Sequence, residues 1–297
     1  MNKLLLIKDI IGKKTSRGDD YVEFVLSDGK KEGNVKMWNA SKEAYANYIG
    51  KVMDFSLNES SYNGQVQYLA VQVNIPPCEY DISDFVATPP ENADYMFNYM
   101  FAKANSFNNE TLKYIVINIL LDNEENYKKW SAAKACHHNL RSGLIYHSFR
   151  MLKVAECLSE VYEGVDSELL CAGCILHDIG KLEELETDEM GTATYTVNGK
   201  LFGHLYLGMR KIEKVYNSLI IERDEEAFRN LTHLLAAHHG KLEWGAISVP
   251  KTLEAELLHH CDMIDSRVYM YEDAYENTEK GEFSDKIFGL GTEVYHR

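Results

Sequence analysis

A chain of 297 residues, 45% hydrophobic and 26% charged, has the composition of an ordinary globular protein with room for two domains. It holds no apolar run near the roughly 20 residues of a membrane span, and Met1-Asn2-Lys3-Leu4-Leu5-Leu6-Ile7-Lys8 is too short in its apolar part for a secretion signal. The net charge of −15 is uneven: residues 1–77 carry 10 Lys/Arg against 9 Asp/Glu and the remainder 21 against 37, which excludes a histone-like binder of bulk nucleic acid.

The chain opens with five short β-rich stretches, Leu4–Ile11, Tyr21–Leu26, Gly33–Trp38, Lys51–Leu57 and Val66–Val73. Turn signals separate them at Arg17-Gly18-Asp19-Asp20, Ser27-Asp28-Gly29-Lys30 and Tyr62-Asn63-Gly64. Between the third and fourth, Ser41–Tyr48 reads as a short helix with Ser41 as N-cap. Three strands, a helix and two strands is the order of a five-stranded OB barrel, assigned to residues 1–77. Such a barrel binds single strands by stacking bases on aromatics and holding phosphates with cations. Tyr21, Phe24, Trp38, Tyr62 and Tyr68 are the candidate stackers, and Lys36 and Arg17 the candidate cations. Some of these aromatics are expected to fill the barrel core instead, and a barrel of this kind also serves in protein docking.

Ile75-Pro76-Pro77 ends the barrel, and 78–91, with Pro89-Pro90, reads as an extended linker. From residue 92 the pattern is helical, over about 92–104, 109–121, 124–136, 142–162, 167–179, 203–219, 224–238 and 251–276. Thr192–Val197 alternates like a small hairpin. The fold class is therefore α+β in two domains, with an all-helical bundle over 92–297. Six cysteines, Cys78, Cys136, Cys157, Cys171, Cys174 and Cys261, fall mostly inside apolar helical patterns and read as reduced thiols of a cytoplasmic protein. Cys171 and Cys174 have the spacing of a redox or zinc pair but no second pair, so they read as core. Asp122–Glu125 and Glu183-Glu184 read as solvated acidic faces.

The chemistry concentrates in Leu176-His177-Asp178-Ile179-Gly180-Lys181, which follows the apolar run Leu169–Ile175. A buried His–Asp pair is costly without a partner, and imidazole nitrogen with carboxylate oxygen suits Mn, Fe, Zn or Ni. Gly180 reads as a helix C-cap. All eleven histidines lie outside the barrel, mostly near helix ends, so several helices each bring an imidazole or carboxylate to one bundle.

His147, then His177-Asp178, then Asp262 across a helical domain resembles the HD-domain superfamily of metal phosphohydrolases. Gly143–Ser148, Gly203-His204, His238-His239-Gly240 and Cys261–Asp265 extend the likeness. With a barrel ahead of it, the whole chain resembles the YhaM-type 3′→5′ exoribonucleases. Asp84-Phe85, Pro89-Pro90, His137-His138 before Ser142-Gly143-Leu144, and the tail Gly281–Tyr295 fit, while Ser142-Gly143 stands where that family has a glycine pair.

The resemblance implies that His147, His177, Asp178 and Asp262 hold one divalent ion. Asp178 would bridge to a second, with His204 and His238 as its first ligands and His239 close behind; the alternative is a single ion, with these histidines binding phosphate or sitting at helix ends. Mn2+ is the first choice, with Fe, Mg, Ni or Zn as alternatives. Asp178, Lys181 and His204 would serve catalysis, and His137, His138, Lys181 and Arg267 the substrate phosphate. Asp265 lies three residues after Asp262 on the same helical face and would orient a ligand or Arg267. His259 and His260 share that helix and read as core or surface. The substrate implied is single-stranded RNA, with DNA or a small nucleotide as alternatives, and a homo-oligomer is open. A non-enzymatic adaptor with a structural metal is the weakest reading.

Overall fold

In β2 (Asp20–Ser27) Val22, Phe24 and Leu26 point one way and are buried, while Tyr21 and Val25 point the other and stay partly exposed. That alternation is the period of a strand lining a barrel. The structure is a computed structural model that describes every residue except 63, 64, 134–139 and 221, and leaves out the side chains of 62, 65 and 66. The turn expected at Tyr62-Asn63-Gly64 lies outside the described residues.

With β1 (Asn2–Lys14), β3 (Glu32–Trp38), β4 (Val52–Tyr62) and β5 (Gln65–Asn74), β2 closes a barrel of order β1-β2-β3-β5-β4. Its pairs are antiparallel except β3 with β5. This is the expected OB-like architecture. β1 runs past its apolar stretch because its polar end still pairs with β2, where Lys14 and Asp20 meet at 2.7 Å. A register shift between Ile7 and Asp9 returns Ile10 to the interior three positions after Ile7. The short α1 (Lys42–Tyr45) starts after Ser41, whose side chain makes no capping bond.

Phe24 sits at the barrel centre, fully buried and edge-on to Phe55 at 5.4 Å. It is therefore core and not a base stacker, as its parity with Val22 and Leu26 requires. Leu6 points outward and is buried with Val52 and Val86. Residues 78–88, expected as most of an extended linker, instead fold within the barrel unit, which comprises 1–88 and 188–192. Ile82–Asp84 there makes one 3-10 turn.

The second unit comprises 89–187 and 193–297. It contains α2 (Ala93–Asn105), α3 (Glu110–Lys129), α4 (Gly143–Val161), α5 (Ser167–Leu176), α6 (Lys181–Glu184), α7 (Val197–Asn217), α8 (Glu225–Ala237) and α9 (Leu253–Glu276). Every residue of α5 from Leu169 to Leu176 is buried, so this helix is the hub of the core. Tyr127 of α3 donates its hydroxyl to the Ile175 carbonyl at 2.7 Å and anchors the end of α5.

Two expected helices over 109–136 merge into α3. The helix continues through 122–123, with Glu124 paired to Lys128 and Glu125 to Lys129 four residues apart. α7 starts at Val197, six residues early, and is interrupted at Gly203, where φ is +70°. Ala193–Tyr195 (β7) pairs with Leu185–Thr187 (β6), so the expected hairpin stretch is its second strand. All five described cysteines are free; Cys171, Cys174 and Cys261 are buried, whereas Cys78 and Cys157 are exposed. Among the described residues no helix is long and apolar enough to cross a membrane.

Candidate metal centre

Five helical segments converge on one buried cluster. α4 brings His147 at its second turn; α5 ends on His177 with Asp178 next; α7 brings His204 just past its interruption; α8 ends on His238 and His239; α9 brings Asp262. Two of these segments present their C-terminal ends, where unpaired carbonyls favour positive charge. Gly180 is not the expected C-cap. His177 is the C-cap, and Gly180 has an ordinary helical φ of −64°. A Cβ at Gly180 would lie 2.0 Å from the His204 carbonyl oxygen, so this glycine is what lets α7 approach the His–Asp turn.

Asp178 is the hinge of the arrangement. Its Oδ2 lies 3.2 Å from His177 Nε2 and 3.9 Å from His147 Nε2, and the latter is 3.4 Å from Asp262 Oδ1. His147 Nε2 and His177 Nε2 are 3.2 Å apart. The other oxygen, Oδ1, lies 3.4 Å from His204 Nε2 and 3.8 Å from His238 Nε2, while His204 and His239 face each other at 3.2 Å through Nε2. One carboxylate thus turns each oxygen to a different group of imidazoles.

The donors fit divalent ions. His177 Nδ1 lies 3.1 Å from the Cys174 carbonyl and His238 Nδ1 2.8 Å from that of Leu235. A carbonyl only accepts, so both Nδ1 atoms carry the proton and both Nε2 atoms aim lone pairs inward. Lone pairs and carboxylate oxygens facing one another at 3.2–3.8 Å repel unless a cation lies among them. Donors sharing one ion at ~2.0–2.2 Å sit roughly 3.0–3.5 Å apart, close to these spacings.

The protonation states agree. Burial opposes ionisation of Asp178, but the Lys181 ammonium 2.7 Å away holds its carboxyl well below the usual range. Burial opposes ionisation of Asp262 as well, but His147, 3.4 Å away, holds it low. Burial and the neighbouring His177 push His238 well below the ordinary imidazole value, and burial with His204 lowers His239. Burial would also lower His147, but Asp262 and Asp265 on either side push it up to about 10, so this point favours positive charge, whether proton or metal.

A second layer of groups aims the imidazoles. Asp265 receives His147 Nδ1 at 2.6 Å and pairs with Arg150 Nε at 2.5 Å, so its partners are a candidate ligand and Arg150. Glu184 accepts from the His204 backbone N–H at 3.1 Å and lies 3.1 Å from His204 Nδ1. It is buried, which corrects the reading of Glu183-Glu184 as a solvated face. Its only advance sign was a place between Leu182 and Leu185, both buried. Arg150, three residues past His147 and hence on its face, carried a similar sign.

Lys181 reaches Asp178 Oδ2 at 2.7 Å and is largely buried, so it is not a solvent-facing lysine. Arg267 is partly buried on α9, about 140° round the helix from Asp262 at ~100° per residue, and makes no ion pair among the described residues. His137 and His138 lie outside the described residues. His259 bonds the His238 carbonyl at 2.8 Å, and His260 is exposed beside Glu256.

On the barrel, Tyr21 and Trp38 are cross-strand partners with ring centroids 4.8 Å apart. They share the outward face with Lys36, opposite Val22, Phe24 and Val35. Trp38 is 46% and Tyr68 39% exposed, as a stacking surface needs. Arg17 is exposed in the β1–β2 turn. The side chain of Tyr62 lies outside the description.

The HD domain family model matches residues 144–267. A protein named 3′-5′ exoribonuclease YhaM in Halalkalibacterium halodurans is 33% identical over 300 residues, covering 100% of this chain and 92% of its own. Proteins of the same name in Listeria welshimeri and Oceanobacillus iheyensis are 32% and 31% identical, covering 98% and 99% of this chain and 93% and 92% of theirs. No solved structure matches the chain.

Proposed function

The chain belongs to the YhaM family, and from that premise we propose that it is a metal-dependent 3′→5′ exoribonuclease acting on single-stranded RNA, with single-stranded DNA as its second substrate. The observation that carries the reading is Asp178, whose two oxygens face two separate groups of imidazoles. His147, His177, Asp178 and Asp262 would hold one ion, and Asp178, His204, His238 and His239 the other. Mn2+ is the working assignment, and the same nitrogen and oxygen donors take Fe, Ni, Zn or Mg. Bound there, divalent ions acidify a water for attack on phosphorus and neutralise the charge that develops.

The protein's own groups do the rest. Lys181 is near enough to Asp178 to hold a non-bridging phosphate oxygen against the centre. Asp265 and Glu184 fix the rings of His147 and His204, so little reorganisation accompanies the reaction. No serine or cysteine nucleophile is needed. The buried Cys171 has its thiol pushed up to about 12 by burial, and Cys174 lies well above the ordinary value for the same reason. Trp38, Tyr21, Tyr68 and Lys36 would grip the strand on the barrel. The free thiols suit a reducing, cytoplasmic setting.

The test is a 5′-labelled single-stranded RNA incubated with the Mn2+-loaded protein. Progressive shortening from the 3′ end is the expected result. Turnover of free nucleotides with the oligomer left intact would assign the chain to small-molecule phosphohydrolysis instead.

A further inference from the structure

Trp244 takes no part in that chemistry, yet its ring packs beside His259, which bonds the backbone of the candidate ligand His238. α8 ends on His238-His239; Gly240 turns the chain at φ +78°, Leu242–Trp244 makes one 3-10 turn, and Gly245 closes it at φ +89°. The loop is tied back onto the last turn of α8, with Gly240 N–H to the Ala237 carbonyl at 2.7 Å and Ile247 N–H to that of Ala236 at 2.9 Å. A Cβ on Gly240 would meet the His259 ring at 2.4 Å, so the glycine also permits a close pack against α9. His259 precedes Asp262 by one helical turn and bonds the His238 carbonyl. The Trp244 ring lies 6.0 Å from the His259 ring, so His259 stands between it and the backbone of His238.

The ring is held but not covered. The Lys241 ammonium lies 4.4 Å from its centroid, yet Trp244 is 47% exposed. Tyr206 is an exposed aromatic of the same unit, but it lies two residues past His204 on a continuous helical stretch and so points away from the centre. An indole fixed on a tied loop beside a phosphate-cutting centre matches a nucleobase, because every base presents a π-face.

We propose that Trp244 is a stacking platform for the base of the 3′-terminal nucleotide, and that Lys241 supplies a cation to that nucleotide's phosphate. The proposal rests on the exoribonuclease reading and adds a subsite to it. Stacking reads no hydrogen-bond pattern, so the platform accepts any of the four bases.

The test uses two 5′-labelled RNA oligomers, identical except that one has an abasic 3′-terminal residue. KM is measured for both with the Mn2+-loaded full chain, with Trp244→Ala and with Trp244→Phe. The wild type should favour the intact end by about tenfold, within the usual worth of one base–aromatic stack. Trp244→Ala should erase the preference and Trp244→Phe keep most of it. A ratio of two KM values does not depend on how much protein is folded. A wild type that shortens both oligomers with equal KM, or an alanine variant that keeps the preference, overturns the platform alone. A wild type that shortens neither overturns the exoribonuclease reading with it.

Discussion

The two halves of the histidine cluster share Asp178 but are built to different standards. Around His147 and His177 the side chains are almost wholly buried, and each outer nitrogen has a fixed partner, Asp265 for one and the Cys174 carbonyl for the other. Around His204, His238 and His239 two outer nitrogens are also held, by Glu184 and the Leu235 carbonyl, but His239 Nδ1 has no hydrogen-bond partner among the described residues. An imidazole aimed by a buried carboxylate is more basic and pays less to meet an ion. The first half should therefore hold its ion more firmly than the second. Tight retention at one half and easier exchange at the other would suit a site that must admit and release phosphate on every cycle.

The largest effect should follow from removing what the halves share. Asp178→Asn keeps the shape but loses the charge that both groups face. Activity on RNA should fall by more than about 10³-fold, with elemental analysis showing both ions lost and circular dichroism showing the helices retained. Retention of one ion at full occupancy would break the idea of a shared bridge.

Staged removal of metal tests the ranking directly. Titration with a chelator should release the ions in two steps, and His239→Ala should abolish the first step while leaving the second. Release in a single step, or loss of both ions in His239→Ala, would mean that the halves are equal.

The orienting carboxylates sharpen the comparison further. Asp265→Asn should weaken the firmly held ion, and Glu184→Gln the looser one, each by roughly 10–100-fold in affinity. Calorimetry with Mn2+ would show which step moves. If both variants moved the same step, the division of the cluster would be wrong.

These cases also show what was readable before any coordinates. His147, His177, Asp178, His204, His238, His239 and Asp262 could be named because each sits at a helix end or on a helix face in a recognisable short motif. Their company followed from topology. Glu184 could not be named, because a carboxylate beside another carboxylate looks solvated until α7 arrives from twenty residues away. Gly180 was misread for a related reason: its need is set by the backbone of another helix and not by its own φ. Phe24 was different. Its alternation with Val22 and Leu26 already placed it inside the barrel, and only its aromatic character suggested otherwise. Asp122–Glu125 was expected as a solvated face, and the helix runs straight through it because Glu124 and Glu125 each find a lysine four residues on.

The smallest expected effect concerns how the firm half is delivered. α4 starts from Ser142, which holds φ at +64° with no capping bond from its side chain. A left-handed conformation costs a residue with a Cβ about 1–2 kcal/mol. Glycine avoids that cost but loses about 0.5–1 kcal/mol through the greater freedom of its unfolded chain. Ser142→Gly should therefore stabilise the helical unit by roughly 0.5 kcal/mol and raise its Tm by about 1–2 °C, with metal affinity unchanged. Scanning calorimetry with metal present and absent would separate the two quantities. A gain in Mn2+ affinity of tenfold or more would show that strain at this residue is transmitted one turn along α4 to His147, so that the firm half is held short of its best geometry.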